Sequence, residues 1–248
     1  MKIVVTHSSP DMDAITSVWL IKKFLPGWEN ASVQFVPAGE RIGNLKSQKS
    51  NIKSPIEEIN DNEVLHVDTG MGPLDHHQTD DQNVCGASLT WDYVRIQSSE
   101  FEVQNDKIKT RIEAVSRMVK VVVDIDHFKE VFWKDPLSDS HEFHLASILD
   151  GLKLQKPNQD EFYVEFVSDC LDAILHEFEN RIWAEKEIKE NGVKFKTRFG
   201  EGIGLETIND SVIKLAQKMN YVIVVRKDPR KGYLRIKARP SENKRSKK

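Results

Sequence analysis

The chain is expected to fold as an α/β protein: a mostly parallel sheet flanked by helices, followed by a long helix and a smaller α+β lobe. Three observations predict this. Short β-branched runs alternate with helical periodicity near the start of the chain. One amphipathic stretch then runs from Asp160 to Glu190. Beyond it, short β-rich runs surround a single helical segment.

The elements follow in order. Lys2 to Thr6 (KIVVT) reads as a buried strand, and His7-Ser8-Ser9-Pro10-Asp11 as a loop. From Ala14 to Leu25, the apolar residues Ile15, Val18, Trp19, Ile21 and Leu25 recur near helical spacing, and Pro26-Gly27 stops the helix. Ser32 to Pro37 (SVQFVP) and Val64 to Val67 (VLHV) are the next strands, the second preceded by the turn-like Asn60-Asp61-Asn62. Ala87 to Arg95 and Ile108 to Val123 read as helices, although Val121-Val122-Val123 also fits a strand. Residues 136 to 144 read as a loop. In the long helix Val167, Leu171, Ile174, Phe178 and Ile182 line one face, Asp160 and Glu161 suit its positive end, and Asn191-Gly192 terminates it. Val193 to Arg198 and Tyr221 to Val225 follow as strands with a helix between them at Ile208 to Met219. A turn at Asp228 to Gly232 leads to a last strand, Tyr233 to Ala238. These boundaries predict a domain over residues 1–150, a helix and smaller lobe over 151–240, and a basic disordered tail over 241–248.

Composition narrows the class. At 248 residues, 39% hydrophobic and 30% charged, the chain can bury a sizeable core and is not expected to be disordered. A net charge of −3 gives no overall attraction to a polyanion. Between Val222 and Lys248, however, eleven Lys and Arg face two Asp and Glu. That basic end can hold phosphates or serve as a solvated tail. Cys85 and Cys170 have no metal-type spacing and make no disulfide framework, so reduced thiols and a cytoplasmic location are expected. No apolar run suits a signal peptide or a membrane span. The oligomeric state is left open, with a homodimer among the options.

Three acidic or histidine-rich clusters stand just after predicted strands: His7-x-x-x-Asp11-x-Asp13, Asp68, and Asp75-His76-His77. In open α/β sheets functional groups collect at the carboxyl ends of strands, so these clusters can converge. Singly, each has an ordinary explanation. Asp11 and Asp13 suit a helix cap and first turn, Asp68 a turn, and His76 or His77 a hydrogen-bonded surface histidine. Together, four carboxylates and three imidazoles on one rim call for a counter-ion. Oxygen and imidazole donors without thiolate suit Mn²⁺, Mg²⁺ or Fe²⁺ over structural zinc, with Mn²⁺ the favoured expectation and Mg²⁺ the alternative. A shared carboxylate would hold two such ions close enough to activate a bridging water against a phosphoryl group.

The stretches THSSPDMDAITS, LHVDTG and LDHHQ, in this order, resemble the DHH phosphoesterase superfamily, which includes exonucleases, small-oligonucleotide phosphodiesterases and manganese pyrophosphatases. Within it, DHHQ, VVVDIDHF, HLASILDGLKLQKPN, YVIVVRKDP and GYLRIKARP are similar to the melanocyte-proliferating-gene (MYG) family of metal-dependent hydrolases. The chain departs from that family in reading HSSPDMDA in its first loop. It also lacks a Gly-Gly-His type motif, the nearest feature being Phe199-Gly200-Glu201-Gly202.

The resemblance implies a DHH-like fold and two divalent metal ions. It assigns His7, Asp11 and Asp68 to one ion, and Asp13, Asp68, His76 and a fourth Asp to the other. Asp126 is the choice for that fourth ligand and Asp124 the alternative. Asp75 would orient a histidine, and His77 would face the scissile phosphate. His127 could brace the site, while His141, His144 and Asp150 read as loop and turn residues. Arg226, Arg235 and Arg239, with Arg230, are candidate phosphate clamps, or else an exposed basic strand edge. The implied activity is hydrolysis of single-stranded nucleic acid or short oligonucleotides, exonuclease-like, by attack of a metal-bridged hydroxide. Pyrophosphate or a mononucleotide is the alternative substrate. A nucleic-acid-binding module with a non-catalytic metal site is the alternative from another class.

Overall fold

A computed structural model describes residues 1–43, 54–102 and 105–240. The run KIVVTH forms β1 (Lys2–His7), with Val4 and Val5 fully buried. Asp11 then caps α1 (Met12–Phe24) by accepting from the Ala14 amide at 3.0 Å. All but two residues of α1 are buried, which marks a central helix rather than a surface one. The chain returns through β2 (Ser32–Val36), which pairs with β1 in parallel. β3 (Ile56–Ile59) and β4 (Asn62–His66) form an antiparallel hairpin, and β4 lies parallel to β1 on its other side. The sheet order is β2-β1-β4-β3.

Against α1 pack α2 (Gly86–Gln97) and α3 (Asp106–Asp126). Phe24, Trp91 and Phe101 meet at ring centroid distances of 5.1–6.0 Å and fill the space between them. Val121 to Val123 belong to α3, since the helix continues unbroken to Asp126. Two 3₁₀ turns, Lys129–Phe132 and Asp139–Phe143, lead to α4 (Leu145–Gln155) and then α5 (Asp160–Asn191).

The chain divides into two units, Met1–Leu175 and His176–Lys248. The break falls inside α5, not near residue 150 as the sequence suggests. Trp19 donates to Asp172 at 2.7 Å, so the first half of α5 belongs to the first unit. In the second unit Ala184 and Ile188 from α5 join Ile203, Leu205, Val212 and Val224 in one core. Its sheet runs β5-β6-β7-β8, made of β5 (Val193–Thr197), β6 (Gly200–Glu206), β7 (Ile223–Lys227) and β8 (Leu234–Ala238). The β6 and β7 strands are parallel and joined through α6 (Ser211–Lys218); the outer pairs are antiparallel. The tail expected over 241–248 lies outside the described residues. The protein is thus α/β, with one mostly parallel sheet and one mixed sheet. Among the described residues no helix is long and apolar enough to cross a membrane.

Candidate metal centre

The chain leaves β1 for β2 on one side and later lays β4 on the other. The adjacent carboxyl ends of β1 and β4 are therefore a switch point, where open α/β sheets form crevices. His7 ends β1, and Asp68 follows β4 after one residue. The start of α1 adds Asp11 and Asp13, and the last residue of α3 is Asp126.

These side chains meet. His7 Nε2 lies 3.4 Å from Asp68 Oδ2 and 3.9 Å from Asp11 Oδ2. On the other side of Asp68, His76 Nε2 is 3.5 Å from Asp68 Oδ1, 3.6 Å from Asp13 Oδ2 and 3.6 Å from Asp126 Oδ2. Asp68 thus presents one oxygen to each cluster. Asp124 points elsewhere, to Lys120 at 3.5 Å and Lys129 at 3.3 Å. Of the two aspartates weighed for this place, only Asp126 joins the group.

Local bonding fixes each member. Asp11 serves the helix cap through Oδ1 and turns Oδ2 toward His7, so capping and ligation are compatible. Asp13 accepts from the Gly86 and Ala87 amides, both at 2.6 Å, which ties it to the positive end of α2. Gly86 permits this approach, because a Cβ there would lie 2.9 Å from Asp68 Cβ and 3.0 Å from Asp13 Oδ2. Asp75 accepts from the Met71 amide at 2.6 Å and the His77 amide at 3.0 Å, and takes His77 Nδ1 at 2.7 Å. The histidine that Asp75 orients is therefore His77. His127 Nε2 reaches the Val84 carbonyl at 2.9 Å and stands 3.6 Å from Asp126.

Three residues unremarked in the sequence brace the loop from Asp68 to His77. Arg41 donates to the Gly70 carbonyl at 2.8 Å and pairs with Glu57. A Cβ at Gly70 or Gly72 would strike its side chain at 2.4 or 2.9 Å, so the loop wraps the guanidinium closely. His66 Nε2 accepts from the Ile42 amide at 3.2 Å, which assigns the ring proton to Nδ1, facing Glu57 at 3.1 Å.

The electrostatics of the cluster follow from burial and from carboxylates set beside imidazoles. Burial disfavours a charged His7, but the bond to Asp68, the Ser8 carbonyl and the charges on Asp11 and Asp68 together prevail and raise its pKa to about 9. His76 is raised to about 9, chiefly by Asp68 and against its own burial, with Asp126 and Asp13 adding. Burial, reinforced by the charge on Asp68, pushes the Asp13 carboxyl well above its ordinary range. Burial also raises Asp126. For Asp68 burial opposes ionisation, yet the neighbouring His7 and His76 imidazoles prevail and its pKa is lowered. Even so, Asp68 Oδ1 and Asp126 Oδ2 are buried with no hydrogen-bond partner. Unpaired buried carboxylate oxygens beside imidazoles fit divalent cations. The triads His7-Asp11-Asp68, Asp68-His76-His77 and His76-Asp126-His127 each bring three donor atoms within 4.8 Å of one another.

The expected arginine clamps fare differently. Arg226 is buried, and its guanidinium donates to the Thr207 and Ile208 carbonyls and pairs with Asp210 and Asp228. It is a structural strut of the second unit with no face left for phosphate. Arg230 is also held by Asp228, and Arg235 binds both oxygens of Asp210 at 2.7 and 2.5 Å. Arg239 is exposed just past β8. The glycines of Phe199-Gly200-Glu201-Gly202 have a packing role. A Cβ at Gly202 would meet the Phe195 ring at 2.5 Å, and Gly200 makes the β5–β6 turn with φ +134°. Comparison with models of known protein families and with curated protein sequences finds no match to this chain.

Proposed function

We propose that this chain is a metal-dependent phosphoester hydrolase of the DHH phosphoesterase type, acting on single-stranded nucleic acid or short oligonucleotides. The observation that carries the reading is Asp68, buried between His7 and His76 with one oxygen toward each and Oδ1 unbonded. His7, Asp11 and Asp68 would hold one divalent ion, with Asp13, Asp68, His76 and Asp126 holding a second. Mn²⁺ is favoured by the mixed carboxylate and imidazole donors, and Mg²⁺ is the alternative. Such ions supply Lewis acidity and neutralise charge gathering on a phosphoryl group.

The chain's own groups supply the rest. Asp13 is clamped by two backbone amides and Asp68 by its place after β4, so the donors need little rearrangement. His77 commits Nδ1 to Asp75, which leaves Nε2 to carry a proton to the leaving oxygen. Its side chain is 58% exposed, as a group meeting substrate should be. Among the described residues, Arg41 and Lys129 near the centre are already paired with carboxylates. That favours an extended oligonucleotide over pyrophosphate, which would require a dense cationic pocket.

The test is hydrolysis of single-stranded RNA, single-stranded DNA, dinucleotides and pyrophosphate with Mn²⁺ or Mg²⁺, beside Asp68→Ala and His77→Ala. Oligonucleotide cleavage should appear with metal. It should vanish in Asp68→Ala together with metal binding, and fall in His77→Ala with metal binding retained. Metal-loaded protein that cleaves none of these substrates would overturn the proposal.

A further inference from the structure

From Phe128 to Ile148 not one residue is buried. The stretch is nonetheless rich in large apolar side chains. Phe128 is 68% exposed, Phe132 83%, Leu137 93% and Phe143 84%, with Leu154 at 87% a little further on. Together these five present on the order of 800 Å² of apolar side chain. So many large apolar side chains left open to water along one short segment are unusual for an isolated monomer.

The segment is not loose. Trp133, His141 and His144 form a ring cluster with centroids 4.8–5.2 Å apart. His141 Nε2 donates to the Asp135 carbonyl at 2.6 Å, and Ser147 donates to the His141 carbonyl at 3.0 Å. At its start Lys129 donates to the Gln82 carbonyl at 2.7 Å. The loop thus uses its indole and imidazoles to hold itself in shape while presenting its phenyl and leucyl groups outward. A surface already ordered before contact loses less entropy on binding.

We propose that residues 128–154 form the interface with a second copy of this chain. Three arguments select that occupant. The exposed apolar area matches the roughly 800 Å² that each partner contributes to a stable interface. Between Phe128 and His144, Glu130, Asp135, Asp139 and Glu142 outnumber Lys129 and Lys134, which disfavours nucleic acid and anionic lipid. Charges of both signs interspersed with apolar groups suit a two-fold contact, in which one patch meets itself.

The experiment is sedimentation velocity on the full chain, from low-micromolar to hundred-micromolar concentration. The wild type should sediment as a dimer. The double variant Phe132→Ser with Phe143→Ser, and separately Leu137→Asp, should self-associate at least tenfold more weakly. All these positions are exposed, so circular dichroism should show an unchanged fold. Ile236→Lys, on the exposed face of β8 in the second unit, should leave the dimer intact. A wild-type monomer across the whole range overturns the proposal. So does a dimer that the segment variants leave unchanged, or one that Ile236→Lys dissolves.

Discussion

Replacing Gly86 by Ala sets two effects against each other. Gly86 is the first residue of α2, and its backbone is not left-handed, so helix preference alone would make Ala stabilising by about 0.4–1 kcal/mol. Space dictates the opposite. The new Cβ would lie 2.9 Å from Asp68 Cβ and 3.2 Å from Asp68 Cα, against an ordinary carbon contact of about 3.5–4.0 Å. Either α2 or the Asp68 loop must retreat by roughly 0.5–1 Å, comparable to the tolerance of about 0.5 Å expected for a functional site. Overpacking of this kind costs about 1–3 kcal/mol, so the clash wins. The metal-free thermal midpoint should fall by several degrees, at about 2–4 °C per kcal/mol for a unit of this size. Mn²⁺ affinity should drop about 10–100-fold, as when a brace behind a metal ligand is disturbed. Titration calorimetry and scanning calorimetry measure both. Undiminished Mn²⁺ affinity in Gly86→Ala would refute the reasoning, whatever happens to stability.

Asp126→Asn should weaken Mn²⁺ binding at least tenfold, whereas Asp124→Asn, which loses only contacts to Lys120 and Lys129, should leave it within twofold; titration of both variants decides. In the metal-free protein His7 and His76 titrate near 9 rather than 6.5. Their stabilising effect is therefore complete below pH 6.5 and lost as pH rises to 9, so the thermal midpoint should fall over that window. Metal affinity should move the opposite way, rising with pH as both imidazoles shed their protons, with proton release visible by calorimetry in buffers of different ionisation heat. Arg41→Ala leaves Glu57 without its guanidinium and frees the loop around Gly70, so it should destabilise by roughly 3 kcal/mol and also lower Mn²⁺ affinity, as denaturant titration with and without metal would show.

The first unit was legible because its chemistry coincides with its punctuation. His7, Asp11 and Asp68 stand where a strand stops or a helix starts, and those boundaries are written in β-branched runs and caps. Other features were not legible, each for a physical reason. β6 carries Gly200, Gly202 and Gly204, which have low strand propensity, yet the Phe195 ring occupies the space a side chain at Gly202 would need. β3 (IEEI) is short and half-charged, and only its pairing with β4 makes it a strand. α4 followed the expected loop without a cap side chain to announce it. The role of Arg226 could not be read because two of its partners, the Thr207 and Ile208 carbonyls, are backbone atoms with no sequence signature, and the other two, Asp210 and Asp228, meet it only once the second unit is folded. Arg41 was hidden likewise, since a basic residue after a strand is ordinary until Gly70 and Gly72 are seen folded around it.

The donors at the β1–β4 switch point are drawn from places far apart along the chain, from His7 to Asp126. That spacing imposes an order on biosynthesis. At about 5–20 residues per second, His7 emerges from the ribosome on the order of ten seconds before Asp126 can join it. During that interval a nascent chain offers at most a partial, weaker chelate. On the proposed metal reading the end of α3 is therefore a timing mark: before it emerges the full donor set does not exist, and after it the set would be complete while the rest of the first unit, to Leu175, is still to come.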